Sequence, residues 1–208
     1  MSGLRLAVLA SGTGTNLQAI LDSVHGREGI KLVAVAGDEP DAPALERARG
    51  AGVEVGVFDE AAYADRRARD AAMAAWLAER DVGLVVLAGY MRLLSEAFLS
   101  RFPNRVINVH PALLPAFRGL DAIQQALDYG VKVFGVTVHF VDQGVDSGPV
   151  ILQRAIELPD AADAEAVHDL LRPLEHELLP EAIRLIARGA VTRDPANPRR
   201  MLVNRERS

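Results

Sequence analysis

Asn108-Val-His110-Pro111 places two polar side chains two residues apart at the end of an apolar run, Arg105-Val-Ile-Asn-Val109. Strand alternation puts Asn108 and His110 on one face, with Val106 before them, and Pro111 ends the strand there. An amide N–H₂ and an imidazolium form a pair of donors suited to holding a developing oxyanion. Asp146 lies in the Gly-flanked turn Gly144-Val-Asp-Ser-Gly148, just after the run that ends Thr137-Val-His139-Phe140. An aspartate near His110 favours the protonated imidazole. A buried, hydrogen-bonded Asn–His pair is the plainer reading of the same two residues and stays open. His139 shares a face with Thr137 and is equally a member of the site or a structural imidazole. His25, His168 and His176 fall on helix or loop positions and read as solvated or supporting side chains.

Several other chemistries fit poorly. No serine sits in a nucleophile elbow, and neither H-x-x-x-H nor H-E-x-x-H occurs. With no cysteine, thiol nucleophiles, thiolate zinc sites, iron–sulfur clusters and disulfides are excluded together. Direct attack of a bound nucleophile on a carbonyl is the reaction these residue types support. Arg66 and Arg92 are candidate carboxylate binders, although an arginine is by default a solvated surface group.

A second constellation is Ser11-Gly-Thr-Gly-Thr-Asn16, which follows an apolar run and opens a helical pattern. Backbone N–H groups at such a helix start form an anion site where glycines allow close approach. Gly12 and Gly14 match the first two positions of the dinucleotide fingerprint, but Leu17 takes the third, and Asp38 or Glu39 would have to stand for its ribose-binding acid. Phosphate binding is the favoured reading; dinucleotide binding and a plain strand-to-helix turn capped by Asn16 are the alternatives.

The elements around these motifs alternate. Leu6–Ala10, Lys31–Ala36, Val53–Phe58, Gly83–Leu87 and Arg105–Val109 read as buried strands. Between them, Leu17, Ile20, Leu21 and Val24 mark one helix closed by Gly26, and Pro43–Arg49 and Tyr63–Arg80 are two more. Strand–helix alternation implies a mostly parallel, Rossmann-like open sheet with helices on both faces. Gly119–Tyr129 reads as a helix, followed by Val133–Phe140 and Val150–Ile156 as antiparallel additions. A helix over Ala164–Arg188 contains Pro173 and Pro180, which should kink or split it. The expected organisation is one catalytic domain over residues 1–190 and a partly ordered Arg- and Pro-rich tail over 191–208. Half of the 208 residues are hydrophobic, enough for one substantial α/β core. Net charge is −5, which argues against a nucleic-acid-wrapping surface. The first apolar run is too short for a signal peptide or a membrane span, making the cytoplasm the expected compartment.

Taken together, these motifs resemble the folate-dependent phosphoribosylglycinamide formyltransferase family. The resemblance rests on Leu9–Ile20, Val86-Leu-Ala-Gly-Tyr-Met-Arg-Leu-Leu94 and Val106-Ile-Asn-Val-His-Pro-Ala-Leu-Leu-Pro115, with Gly135–Val141, Asp146–Leu152 and Glu175-His176. It implies a formyltransferase fold and transfer of the formyl group of 10-formyltetrahydrofolate to 5′-phosphoribosylglycinamide in purine biosynthesis, without a metal. It implies a catalytic trio of Asn108, His110 and Asp146, in which Asp146 raises the pKa of His110. The ribonucleotide would be held by Gly14, Thr15, Asn16 and Glu175. The folate would meet Arg66, Met91, Arg92, Leu93, Leu94, Asn108, Val141 and Asp142, with Thr137 and His139 in support. The implied partners are small molecules, not nucleic acid or membrane, and a homodimer is allowed.

The chain also departs from that pattern. Gly37-Asp38-Glu39-Pro40 stands where the family usually has Ser-Asn. The family arginine ahead of the helix near Tyr63 has no counterpart at Asp59–Ala62, leaving Arg66 as a candidate substitute. Pro173 precedes Glu175 by two residues and could alter how that acid is presented. Two relatives of the pattern, methionyl-tRNA formyltransferase and formyltetrahydrofolate hydrolase, carry an additional domain for which 208 residues leave little room. A nicotinamide oxidoreductase lacks support from the third glycine position, and a non-catalytic nucleotide binder has no need of an oxyanion site.

Overall fold

Near-continuous apolar runs make the strands of the amino-terminal half, because a parallel strand is covered on both faces and has no side to leave polar. The structure, a computed structural model, describes residues 3–205. The chain divides into two compact units, with the boundary between Asn108 and Val109.

The first unit runs β1 (Leu4–Leu9), α1 (Thr15–Ser23), β2 (Ile30–Gly37), α2 (Pro43–Gly50), β3 (Glu54–Val57), a 3₁₀ turn (Glu60–Ala62), α3 (Arg66–Ala78), β4 (Leu84–Leu87), α4 (Glu96–Leu99) and the start of β5 (Val106–His110). Its strands lie in the order β3-β2-β1-β4-β5, all parallel. Leu6 to Leu9 of the central strand are fully buried. Parallel crossovers are right-handed, so α1 and α2 cover one face while α3 and α4 cover the other. Strand order reverses between β1 and β4, and the carboxyl ends on either side of that point form the crevice in which open α/β sheets bind ligands.

Local chemistry adjusts several of the expected boundaries. α3 starts at Arg66 rather than Tyr63 because the Asp65 side chain accepts the Ala68 N–H at 2.7 Å and caps the helix there. α4, a single turn, has too few residues to show a period. Gly14 adopts φ +73°, and a Cβ there would stand 2.7 Å from the Cα and Cβ of Ala44 on α2. Close packing between the two helices thus falls to Gly14, and Leu17 is free to be a fully buried core residue. Gly14→Ala should destabilise the protein by about 2–4 kcal/mol, since the left-handed conformation and the steric overlap both oppose it. Urea unfolding would read this, and an unchanged midpoint would show that α1 and α2 are free to separate.

The second unit begins in β5 and continues through α5 (Ala122–Tyr129), β6 (Val133–Phe140), β7 (Val150–Glu157), α6 (Ala164–Ala187), β8 (Val191–Asp194) and β9 (Asn197–Val203). β6 and β7 pair antiparallel from Val133↔Glu157 to His139↔Val150. α5 starts three residues later than expected, because Gly119 and Asp121 have positive φ and cannot join a right-handed helix. α6 is one uninterrupted element, so Pro173 and Pro180 do not split it. Each interior proline costs about 3 kcal/mol. Burial of Val167, Leu171, Leu178, Leu179, Ile183 and Leu185 outweighs that pair, at about 1.5–3 kcal/mol per side chain. In the tail, β8 and β9 form a small antiparallel sheet of their own. The chain adopts the expected class: a mostly parallel, Rossmann-like sheet flanked by helices, with antiparallel strands following it in sequence.

Candidate active site

In the second unit, β5 delivers His110 at its carboxyl end, β6 delivers His139, and the turn that follows β6 delivers Asp146. Both imidazoles are buried, and the Asp146 side chain is 14% exposed. One carboxylate lies between the two rings: Oδ2 is 3.4 Å from Nδ1 of His110, and Oδ1 is 3.4 Å from Nε2 of His139. The Gly119 N–H donates to Asp146 Oδ2 at 2.9 Å. Burial alone would push the Asp146 carboxyl up. The hydrogen bonds from His139 and Gly119 and the charges of both imidazoles outweigh it and bring the pKa down to about 2.

The far nitrogens of the rings also meet acceptors. His110 Nε2 lies 2.8 Å from the Phe117 carbonyl oxygen, and His139 Nδ1 lies 2.8 Å from that of Phe140. A carbonyl can only accept, so both of these nitrogens carry hydrogen. Each ring is thus placed between a carbonyl and a shared carboxylate, an environment in which an imidazolium has both of its N–H groups satisfied.

Backbone conformation fixes this geometry. Asp146 has φ +45° and Phe117 φ +52°. At Gly148 an added Cβ would come within 1.8 Å of the Phe140 carbonyl oxygen, so the turn that presents Asp146 requires glycine there. Asp142 is occupied inside the same loop, its Oδ1 accepting the Ser147 hydroxyl at 2.5 Å and the Gly144 N–H at 3.1 Å. Val141 opens that loop. Thr137 lies outside the imidazole cluster and supports it from behind: its hydroxyl donates to Ala112 and accepts from Leu114 and Gln153, pinning the chain that leaves His110. Asn108 is half-buried, two residues before His110 on β5. Glu175 is buried in α6, with His168 Nε2 4.0 Å from its carboxylate. His176 is half-buried in α6. Its Nε2 is buried, with no hydrogen-bond partner among the described residues, and burial lowers its pKa, as does the charge of Arg172. His25 accepts the Leu32 N–H at 3.1 Å and is structural.

In the first unit, α1 opens directly from the glycine loop. Gly14 is its N-cap and no side chain caps the helix, so Asn16 lies inside the first turn with Thr15 rather than at the cap. The loop is braced by α2: Ala44 N–H donates to Gly12 O at 3.1 Å and Arg47 Nε to Thr13 O at 2.9 Å. The first-turn N–H groups of a helix have no carbonyl within the helix to bond, which leaves this start suited to an anion. Asp38, the stand-in for a ribose-binding acid, has its carboxylate turned onto Ser11 and Arg92, at 2.5 and 2.8 Å. Arg92 also reaches Glu39 and Glu60, at 3.4 and 3.5 Å, so this candidate carboxylate binder is already surrounded by carboxylates of its own chain. Met91 and Leu93 beside it are exposed, and Leu94 is half-buried. Arg66 opens α3 and lines a groove of about 650 Å³ with Arg67, Ser95 and Ser100. Among the described residues no cluster of three or more metal-ligating side chains is present, and no helix is long and apolar enough to cross a membrane.

The formyl transferase family profile matches residues 4–183. The chain belongs to that family. Formyl transferases similar to it include the phosphoribosylglycinamide formyltransferases of Mycobacterium tuberculosis, 44% identical over 90% of this chain and 87% of the relative, and of Bacillus subtilis, 39% identical over 86% and 93%. These relatives place it in the phosphoribosylglycinamide formyltransferase group. It is also 40% identical to the trifunctional purine biosynthetic protein adenosine-3 of Bos taurus, of which it spans 19%. Among solved structures, glycinamide ribonucleotide transformylase 1 of Symbiobacterium toebii matches with a TM-score of 0.92 and 49% identity, over 97% of this chain and 94% of that one. Sequence reasoning located the Asn-x-His element and the aspartate. It missed the carbonyl partners of the imidazoles and the carboxylates around Arg92, which come from residues distant in the sequence and carry no local pattern.

Proposed function

We propose that this formyl transferase moves the formyl group of 10-formyltetrahydrofolate to the amine of 5′-phosphoribosylglycinamide, in cytoplasmic purine biosynthesis, with residues 1–190 working as one catalytic domain. The observation that carries the reading is the ionised Asp146 between two buried imidazoles, one of them on β5 two residues after Asn108. The amine nitrogen attacks the formyl carbon, and the carbonyl oxygen becomes an oxyanion. Asn108 donates an amide N–H to it, and His110 exchanges its Phe117 carbonyl contact for the same oxygen. Asp146 remains ionised throughout the physiological range and faces a nitrogen of each ring.

Collapse of the intermediate breaks the bond from the formyl carbon to the folate nitrogen. The proton lost by the attacking ammonium passes to that nitrogen, giving formylated ribonucleotide and tetrahydrofolate with charge conserved. The ribonucleotide phosphate is assigned to the helix start at Gly14, Thr15 and Asn16, and Glu175 to its amine end. The folate is assigned to the exposed Met91–Leu94 segment with Arg92 and to Val141 and Asp142, while Arg66 faces a groove of its own at the start of α3. His139 is assigned the task of orienting Asp146.

The test is direct. The protein is mixed with 10-formyltetrahydrofolate and 5′-phosphoribosylglycinamide, and loss of the formyl group is followed by absorbance. Turnover is expected to depend on the amine. Equal turnover with water alone would assign the site to a hydrolase, and binding without turnover would remove the catalytic reading.

A further inference from the structure

We infer that Asp38 is a positioning residue whose buried carboxylate ties the carboxyl ends of three parallel strands together, holding the glycine loop and the Met91–Arg92 segment in fixed register. Its side chain is 1% exposed, and a carboxylate so placed is costly unless it is hydrogen-bonded. Each oxygen has its own donor: the Ser11 hydroxyl bonds Oδ1 at 2.5 Å and Arg92 Nε bonds Oδ2 at 2.8 Å.

The polarity of the chain is fixed as well. Met91 N–H donates to Ser11 Oγ at 3.0 Å, so the hydroxyl accepts from Met91 and spends its own hydrogen on Asp38. A backbone bond from Ser11 N–H to Gly89 O at 3.1 Å closes the same connection. Ser11 follows β1, Asp38 follows β2, and Met91 and Arg92 follow β4. The carboxylate therefore sits beside the reversal of strand order, where it adds a side-chain link to the backbone bond between the two segments.

Charge argues for the same role. Arg92 lies within 3.5 Å of Asp38, Glu39 and Glu60, and Glu60 is also 3.9 Å from Arg69. These carboxylates hold the Arg92 guanidinium in place. Asp38 thus replaces the expected Ser-Asn pattern with a charged tether. That the two tethered segments serve the two substrates rests on the formyl-transfer reading.

The experiment combines amide exchange with steady-state kinetics on the intact protein. In Asp38→Ala the Met91 amide is expected to exchange about tenfold faster. KM for both substrates should rise about fivefold or more, while kcat stays within about threefold. In Asp38→Asn the side-chain oxygen still accepts from Ser11, so the Met91 amide stays protected, but the amide nitrogen cannot accept from Arg92. Only the KM of the formyl donor should move. Ser11→Ala removes no charge and should expose the same amide, which keeps the test available if Asp38→Ala folds poorly. Unchanged Met91 exchange in Asp38→Ala or in Ser11→Ala would overturn the inference, as would a fall in kcat with both KM values intact. If the wild-type protein transfers no formyl group, the assignment of substrates falls, while the amide exchange still decides the tether.

Discussion

His110→Ala is expected to lower kcat by roughly 10³-fold at saturating concentrations of both substrates, with the fold intact and the formyl donor still bound. The size follows from the two contacts this ring combines. Loss of one oxyanion donor costs about 10²–10³ in kcat, and in the proposed mechanism the ring also takes its orientation from Asp146, 3.4 Å from Nδ1. Stability should change much less, because Asp146 keeps its bonds from His139 and from the Gly119 N–H when His110 is removed. The Phe117 carbonyl is left to water. His110→Asn restores a donor without the imidazole contact to Asp146 and should recover part of the rate, about tenfold. The measurements are kcat and KM, thermal unfolding, and binding of the donor by fluorescence quenching. Turnover of His110→Ala within tenfold of wild type would sink the oxyanion role.

Asp146→Asn should reduce kcat by about 10²-fold and change how stability depends on pH. Asparagine tolerates the φ of +45°, so the turn survives, whereas alanine would add backbone strain. What is lost is the negative charge between two imidazoles. The carboxyl has a pKa of about 2 in the folded chain against 3.8 for an unperturbed aspartate. Its ionised form therefore stabilises the fold above about pH 4, and that contribution disappears as pH falls through 2. By linkage the contribution is about 2 kcal/mol. Urea unfolding of wild type and variant should differ by this amount at pH 6 and converge toward pH 2. A gap that stays constant over that range would mean the carboxylate is not held low by its neighbours.

Much of the fold was legible because buried parallel strands and amphipathic helices leave strong periodic signals, as in Leu6–Leu9 or Leu17–Val24. Asn108 and His110 were legible for a related reason: alternation fixes a shared face, and Pro111 fixes the end of the strand. The remainder depends on contacts between residues far apart in the sequence. Nothing around Gly119 announces that its N–H reaches Asp146, 27 positions on, and nothing around Arg92 points to Asp38. That His139 Nε2 faces Asp146 likewise depends on a contact that leaves no local pattern. The prolines of α6 do not split it, because the buried face of the same helix outweighs the local propensity that weighs them as breakers. The β8–β9 sheet was missed because its arginines and Pro198 break up the apolar alternation that marks a strand.

The strand order has a consequence for how the chain is made. β1 leaves the ribosome ahead of the other strands of its unit and is the central one among them, flanked by β2 and β4. One edge finds its partner early, since Leu4 pairs with Ile30, but the other waits for Leu84–Leu87. For some fifty residues of synthesis after β2 is complete, a strand whose last four residues end up fully buried has an open hydrogen-bonding edge. Pairing across that sequence distance is slow compared with local helix formation. An unpaired apolar edge is also a template for pairing with another chain. The arrangement that places the crevice beside β1 therefore gives the nascent amino-terminal half its period of greatest exposure to aggregation, which ends when β4 arrives.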